Sequence, residues 1–460
     1  TYEQFLNFHR TYYHPSNSFI YLYGDMDMAE KLEWLDQEYL SHYDRNDREA
    51  QIDSHIPMQK GFDAPKEVEA AYSITEEEDE ENGCYLSISD VAGTDLDPKL
   101  YVAFQILEYA LIDAPGAPLK QALLDAKIGG DIMGGYDSGI LQPYFSVIAK
   151  DARADQKGEF LAVVKGTLRK LANEGLNRKS LLAAMNYYEF KYREADYGNY
   201  PKGLMYGLQC MDSWLYDGDP MMHLAYGDTF AFLKEAVKDG YFKDYLLDNP
   251  FEAIIGVKPE KNLTAKEDAR VAEKLAAYKE RLTAEEKQAL IRQTEELKEY
   301  QDIPSSPEEL ALIPMLERKD IKKEAEKLKW EEHKIHGIQV LHHDIFTSGI
   351  GYLRVLFNTN RIPDEDLPYA ALLRHVLGLV DTEHYSYSDL TSEINLNTGG
   401  LSLGITSYVN LKKLPDFTGA FSAEVRVLHE KLDFGFENVS EILTRSKFSD
   451  EKRLGEILKT

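Results

Sequence analysis

The chain opens on a pattern of apolar and polar positions that predicts helix, turn and strand in close succession. Phe5, Phe8 and Tyr12 recur at the spacing of an amphipathic helix. A turn at residues 15–17 precedes an apolar run over residues 19–23, which is typical of a buried strand. A buried strand needs neighbours on both edges, and none precedes this one. We therefore expect the sequence to be an internal part of a longer polypeptide.

The order of the predicted elements repeats in the two halves of the chain. The first half gives a strand over 84–91, a long helix, a short helix, Gly129-Gly130 and a strand near 139–149. The same order, with Gly399-Gly400 and a strand over 401–409 at its end, follows about 270 residues later. This repetition predicts an internal duplication of an α+β unit.

The segment 264–301 differs from both halves because it lacks Gly and Pro and consists mostly of good helix formers. Capping boxes that begin at Thr264 and Thr283 divide it into two helices of about 264–282 and 283–301. Each helix carries one narrow apolar stripe and is otherwise highly charged. Such a helical hairpin buries little surface by itself, so we expect it to link two larger bodies.

Composition narrows the class of protein. A chain of 460 residues is too long for one hydrophobic core, so we expect several domains. Acidic residues outnumber basic ones by 80 to 52, and the net charge of -28 argues against nucleic-acid binding but could attract cationic partners. No apolar run is long enough to span a membrane, and no membrane partner is expected. Cys84 and Cys210 are expected to be buried free thiols. The predicted location is the cytoplasm, with the mitochondrial matrix or another organelle as the alternative.

The twelve histidines do not form a recognisable zinc motif. No two of them are four residues apart, which excludes both H-E-x-x-H and H-x-x-E-H. His342 and His343 are adjacent on a predicted strand and point to opposite faces, so they cannot share a metal ion. The remaining candidate pairs also favour packing or surface roles over metal binding; they are His9 with His14 and His333 with His336.

Two further stretches have the composition of a catalytic or binding motif. Residues 400–404 read GLSLG, which matches the G-x-S-x-G nucleophile elbow around Ser402. The elbow requires a helix after the serine, whereas ITSYV continues as a strand, so we expect Ser402 to be an ordinary strand residue. Residues 129–139 are rich in glycine but lack a phosphate-binding motif, and we interpret them as a flexible turn before a strand. We therefore predict no catalytic, cofactor-binding or metal-binding residues in this chain.

Five stretches of the chain match the pattern of a known family: LNFHRTYYHPSNSFIYLYGDMD (6–27), APLKQALLDAKIGG (117–130), NPFEAIIGVKPEKNLTAKEDA (249–269), IPSSPEELALIPMLERKDI (303–321) and LVDTEHYSYSDLTSEINLNTGG (379–400). They resemble the presequence-protease branch of the insulinase (pitrilysin) family of zinc metallopeptidases. The resemblance implies an α+β fold of repeated insulinase-type α/β sandwich domains, like those of LuxS and mitochondrial processing peptidase, joined by a helical hairpin. It implies that residues 1–25 end a first, catalytic domain and that 26–258 form the second domain. The hairpin and its extended tail would occupy 259–328, and a truncated third domain 329–460.

The resemblance also implies a chemistry. Family members hold zinc with the two histidines of H-x-x-E-H and a later glutamate, and the glutamate inside the motif acts as general base on zinc-bound water. These residues would precede this sequence, and the substrate-gripping Arg and Tyr of a fourth domain would follow Thr460. Zn²⁺ is thus expected in the full-length parent and not in this chain.

The function implied is that of an internal part of a zinc-dependent endopeptidase that degrades short unfolded peptides in an enclosed chamber. This chain would supply chamber wall and hinge and would be inactive alone. Its partners would be peptide substrates and the missing N- and C-terminal parts of the same polypeptide. The alternative is a fragment of a non-catalytic family member that acts as a scaffold or assembly subunit. A serine hydrolase that uses Ser402 is a third, weaker hypothesis.

Overall fold

A computed structural model describes residues 1–44, 52–114, 116–242, 252–324 and 327–458. The fold is mixed α/β. Two groups of residues are each held together by their own contacts: the first consists of Thr1–Ala70, Glu81–Lys258 and Thr347–Thr460, and the second of Ala71–Glu80 and Pro259–Phe346. Among the helices in the described ranges, none has the length and apolar character needed to cross a membrane.

The larger sheet has five strands in the order β1-β5-β2-β4-β3. These are β1 (Lys66–Ile74), β2 (Cys84–Val91), β3 (Asp131–Asp137), β4 (Tyr144–Ala152) and β5 (Ala253–Lys261). The central strand β2 pairs antiparallel with β4 on one side and β5 on the other. Cys84, Leu86 and Ile88 are buried and alternate with more exposed residues, so one face of β2 lies against the core. The predicted strand over 84–91 is confirmed.

Helices surround this sheet in the first group. They are α1 (Tyr2–Tyr12), α2 (Met28–Glu38), α3 (Pro98–Glu108), α4 (Pro118–Asp125), α5 (Lys157–Glu174), α6 (Arg178–Glu194), α7 (Lys202–Trp214) and α8 (Tyr226–Ala236). One continuous core contains side chains from the sheet and from α3, α4, α5, α6 and α8. Its fully buried members include Ile106, Leu119, Phe160 and Met185. This core positions α3, whose opposite face lines the cavity described below.

A second, three-stranded sheet belongs to the same group. It contains β8 (Ile350–Asn358), β9 (Gly400–Val409) and β10 (Phe417–Leu428) in the order β8-β10-β9, with both pairs antiparallel. Its helices are α12 (Leu367–Val376), α13 (Tyr387–Asn397), α14 (Leu432–Arg445) and α15 (Glu451–Ile457). The buried face of β10 presents Ala423, Val425 and Val427 to Val439 of α14.

The two sheets share one topology, as the predicted duplication requires. The order β2-α3-α4-β3-β4-α5 in the first half matches β8-α12-α13-β9-β10-α14 in the second. In each sheet the last strand of the unit lies between the other two, as β2-β4-β3 and as β8-β10-β9. Gly129 and Gly400, both at positive φ, begin the corresponding strands β3 and β9. The same unit has therefore been formed twice by sequences of low similarity.

The second group contains the helical hairpin. Its elements are α9 (Leu263–Arg281), α10 (Ala284–Asp302), α11 (Pro307–Ala311), β6 (Glu331–Ile335) and β7 (Ile338–His342). The capping box of α10 is present, because Thr283 accepts a hydrogen bond from the Glu286 amide and the Glu286 side chain accepts one from the Thr283 amide. All residues of α9 and α10 are at least partly exposed, in accord with their narrow apolar stripes.

Three local predictions are wrong. Residues 19–23 pair with no strand in the described part of the chain; their rings instead contact α7, where Phe19 lies 4.7 Å from the Trp214 ring. The glycine-rich stretch, expected to be a turn, contains strand β3, because Gly134 leaves room for Ile112 to approach the strand. Thr264 does not cap α9: its amide donates to the Ser73 hydroxyl, and the helix begins at Leu263.

Candidate functional site

The main cavity of interest lies along the exposed face of α3. Asp97 caps this helix by accepting hydrogen bonds from the Lys99 and Leu100 amides. The apolar face of α3 enters the core, so Tyr101, Gln105 and Glu108 are left on the face that lines a cavity of about 360 Å³. Strand β3 and helices α6 and α7 supply the other walls.

Tyrosine side chains dominate the cavity wall. The five that line it are Tyr101, Tyr136, Tyr188, Tyr192 and Tyr197. The Tyr101 hydroxyl donates to Asp212 at 2.9 Å, and the Gln105 amide donates to the Tyr192 hydroxyl at 3.2 Å. The buried Tyr136 hydroxyl has no hydrogen-bond partner among the residues that the structure describes. The wall thus offers aromatic faces together with hydroxyl and amide groups that suit an amphipathic ligand.

Two carboxyl groups in the cavity have perturbed acidity. Burial, with a smaller effect from the charge of Asp113, raises the pKa of Glu108 to about 7. Burial also raises the pKa of Asp212 to about 6, against the opposing effect of the Tyr101 hydrogen bond. The Lys191 ammonium lies 5.5 Å from the centre of the Tyr188 ring and adds a cation to the same wall. Near neutral pH the charge of this cavity therefore changes with small changes in pH.

Below the cavity, Tyr101 connects to a buried polar pair. Its ring stacks on His223 at 3.9 Å between centroids, and His223 Nε2 lies 3.6 Å from Asp95 Oδ1. Burial raises the pKa of Asp95 to about 8 and lowers the pKa of His223 to about 4, so burial favours the neutral form of each group. Sequence reasoning did not identify this pair because Asp95 and His223 are 128 positions apart. Its position within the core points to a structural role.

The cavity does not fit a zinc ion of the peptidase type. Gln105, Glu108 and Tyr109 have the spacing of H-x-x-E-H, but Gln and Tyr replace the two histidines. Zinc sites in proteins use Cys, His and carboxylate ligands, so the set keeps the acid and loses both imidazoles. Tyr109 moreover stacks on Tyr187, at 4.8 Å between ring centroids. We derive no metal-dependent step from this cavity.

The structure places the other sequence candidates apart from it. Ser402 lies within β9 opposite Glu424, and the strand continues beyond it, so no nucleophile elbow forms. His9 stacks on Tyr13, and His14 caps the turn at residues 15–17, both at exposed positions. The thiols of Cys84 and Cys210 are free and buried, as predicted.

One group of possible ligands comes together on the hairpin of β6 and β7. Glu331, His333 and His342 each offer a ligand atom, and these atoms lie within 4.8 Å of one another. Sequence reasoning weighed His333 with His336 and His342 with His343. It missed His333 with His342, since only the pairing of two strands brings them together.

Two family models match most of the chain. The Peptidase M16 inactive domain model matches residues 1–188, and a model for the region associated with subfamily C of Peptidase M16 matches residues 257–460. Protein HypA of Clostridium perfringens is 40% identical over 100% of this chain and 47% of its own length. The chain belongs to the M16 peptidase family. The predicted insulinase (pitrilysin) resemblance is thereby confirmed.

Other M16 proteins extend the comparison. Presequence protease 1, chloroplastic/mitochondrial, of Arabidopsis thaliana is 30% identical over 98% of this chain and 42% of its own length. The mitochondrial presequence protease of Xenopus laevis is 23% identical over 99% of the chain and 44% of its own length. The chain thus spans about half the length of these curated relatives. The crystal structure of pitrilysin aligns with 99% of the chain and 45% of its own, at 14% identity and a TM-score of 0.48.

Proposed function

We propose that this M16 chain is part of a zinc-dependent endopeptidase that degrades short unfolded peptides in an enclosed chamber. The observation that carries the proposal is the 30% identity to a presequence protease over 98% of the chain. The chain supplies chamber wall and hinge and is inactive by itself. Its proposed divisions are those implied by the family: 1–25, 26–258, 259–328 and 329–460.

The local chemistry supports a non-catalytic role for the chain. Gln105 and Tyr109 occupy the histidine positions of the H-x-x-E-H spacing, and no other pair in the sequence supplies two histidines four residues apart. The match to a model named for an inactive domain accords with this replacement. Zinc and the catalytic base of the proposed enzyme would therefore lie outside these 460 residues.

The charge of the chain suggests the kind of peptide. A net charge of -28 gives a chamber wall that attracts cationic peptides, and targeting peptides are of that type. Because salt screens such attraction, raising the ionic strength should raise the KM for a basic peptide more than for a neutral peptide of equal length. An equal response of both peptides would remove the electrostatic part of the proposal.

The proposal as a whole is tested by comparing this chain with the full-length protein that contains it. Both are assayed on an unfolded peptide of about twenty residues and on a folded, disulfide-linked protein, with and without a chelator. We expect chelator-sensitive cleavage of the peptide by the full-length protein only, and no cleavage of the folded protein. A full-length protein without zinc and without peptidase activity would support the scaffold alternative. Peptide cleavage by the 460-residue chain alone would overturn the assignment of chamber wall.

A further inference from the structure

The hairpin of β6 and β7 holds its residues in a fixed register. The strands pair antiparallel with Glu331 opposite His342 and His333 opposite Val340. The two-residue connection, His336 and Gly337, has positive φ angles of 50° and 86°, as in the tight hairpin turns that match the twist of paired strands. A tight turn fixes which residues stand opposite each other.

This register places three metal-ligand side chains on one face. Residues two apart on a strand share a face, and so do residues directly opposite each other. Glu331 and His333 satisfy the first condition, and Glu331 and His342 satisfy the second. The His333 Nε2 atom is already 3.3 Å from Glu331 Oε2, and the two imidazole rings are 6.3 Å apart between centroids.

We propose that Glu331, His333 and His342 bind one divalent transition-metal ion, with Zn²⁺ as the first candidate. Two imidazole nitrogens and a carboxylate oxygen form a donor set that suits zinc, and water would complete a tetrahedron. Bonds of about 2.1 Å in a tetrahedron place donor atoms about 3.4 Å apart. The present separations of up to 4.8 Å close to that value by side-chain rotation alone. The rotation is unobstructed, because the side chains of His333 and Glu331 are 50% and 72% exposed.

Bound metal would cross-link the two strands at their open end, opposite the turn. The site is separate from the α3 cavity and takes no part in the proposed peptide hydrolysis, so its test does not depend on that activity. The other two histidines of the hairpin are not part of the donor set. His336 lies in the turn, and His343 Nδ1 is 3.0 Å from the Lys329 carbonyl oxygen. These two provide a matched control.

The experiment uses the full-length protein and zinc chloride as the only added ligand. Zinc content after dialysis against micromolar zinc is measured for wild type, for the double variant H333A/H342A and for the control H336N/H343Q. Hydrogen exchange of residues 331–342 is followed in the same samples. We expect the double variant to hold one zinc ion fewer than wild type and the control to hold the wild-type number. Zinc should slow hydrogen exchange of the hairpin in wild type and control by tenfold or more, and should have no effect in the double variant.

Three results would overturn the metal site. Equal zinc content in wild type and H333A/H342A would show that these imidazoles hold no ion. Loss of the same zinc ion from the control would show that any hairpin histidine suffices. Hairpin exchange that zinc leaves unchanged in wild type would show that no ion cross-links the strands. Peptidase activity enters none of these readouts, so failure here is distinguishable from failure of the proposed function.

Discussion

The Asn186 side-chain amide donates a hydrogen bond to the carbonyl oxygen of Thr398, 2.7 Å away and 212 residues further along the chain. The same amide donates to the Asn395 carbonyl oxygen at 3.0 Å. Asn186 is on α6, and its two acceptors are at the C-terminal end of α13. A single buried side chain thus satisfies terminal carbonyl groups of a helix that belongs to the other repeat of the α+β unit.

Replacing Asn186 by Ala should destabilise the protein. The substitution leaves the Asn395 and Thr398 carbonyl groups without this donor in a buried place, which costs about 1–3 kcal/mol of unfolding free energy. Urea unfolding measures the change. The control is N173A, at an exposed position of α5, where we expect a change within about 0.5 kcal/mol. Equal midpoints for the two variants would contradict the role assigned to Asn186.

A second prediction concerns residues 19–23 and α7. A Cβ atom at Gly203 would overlap the Tyr23 ring, and one at Gly207 would lie 2.9 Å from Tyr21. G203A should therefore displace the segment, which chymotrypsin would report as faster cleavage after Tyr21 and Tyr23. The control is G166A, in α5, where the added methyl group meets nothing within 4 Å. That control should be neutral or gain about 0.5–1 kcal/mol, as helical Gly-to-Ala changes do. Unchanged cleavage of G203A would show that the segment does not pack on α7.

The third prediction is a dependence of stability on acid. Burial alone would raise the pKa of Glu441, but hydrogen bonds from His384 and Thr382 outweigh it and lower the pKa to about 2. A carboxyl group with a depressed pKa in the folded state stabilises the fold above its ordinary pKa, about 4.5. That contribution is lost as the pH falls from about 4.5 to 2.

The variant E441Q removes this contribution at every pH. Its melting temperature should therefore lie below that of wild type at pH 6, and the gap should narrow at pH 3. E437Q, at an exposed position one turn earlier on α14, should show no such pH-dependent gap. A difference between E441Q and wild type that is the same at both pH values would refute the linkage.

Much of the fold follows from local signals in the sequence. The alternation in β2 and the box at Thr283 each specify their element without distant contacts. The duplicated order of elements predicted the shared topology of the two sheets, because related units fold alike. The resemblance to M16 peptidases rested on motifs that extend along the whole chain.

The errors arise where distant contacts decide the outcome. The apolar run at 19–23 has the composition of a strand, but a strand also needs a paired edge, and here the rings pack on glycines of α7 instead. The stretch around Gly134 looks like a turn until a helix residue, Ile112, is seen to occupy the space of the missing side chain. The group of Glu331, His333 and His342 depends on strand register, which the spacing of residues along one strand does not reveal.

The central claim is that this chain forms part of an M16 peptidase but holds none of its catalytic machinery. Glu108 is the residue that most nearly imitates a catalytic base, since it has the H-x-x-E-H spacing and a pKa of about 7. The most direct test is the kcat of the full-length protein carrying E108Q, on an unfolded basic peptide. We predict a kcat within about threefold of wild type. A loss of about a hundredfold or more, as expected on removal of a general base, would contradict the claim.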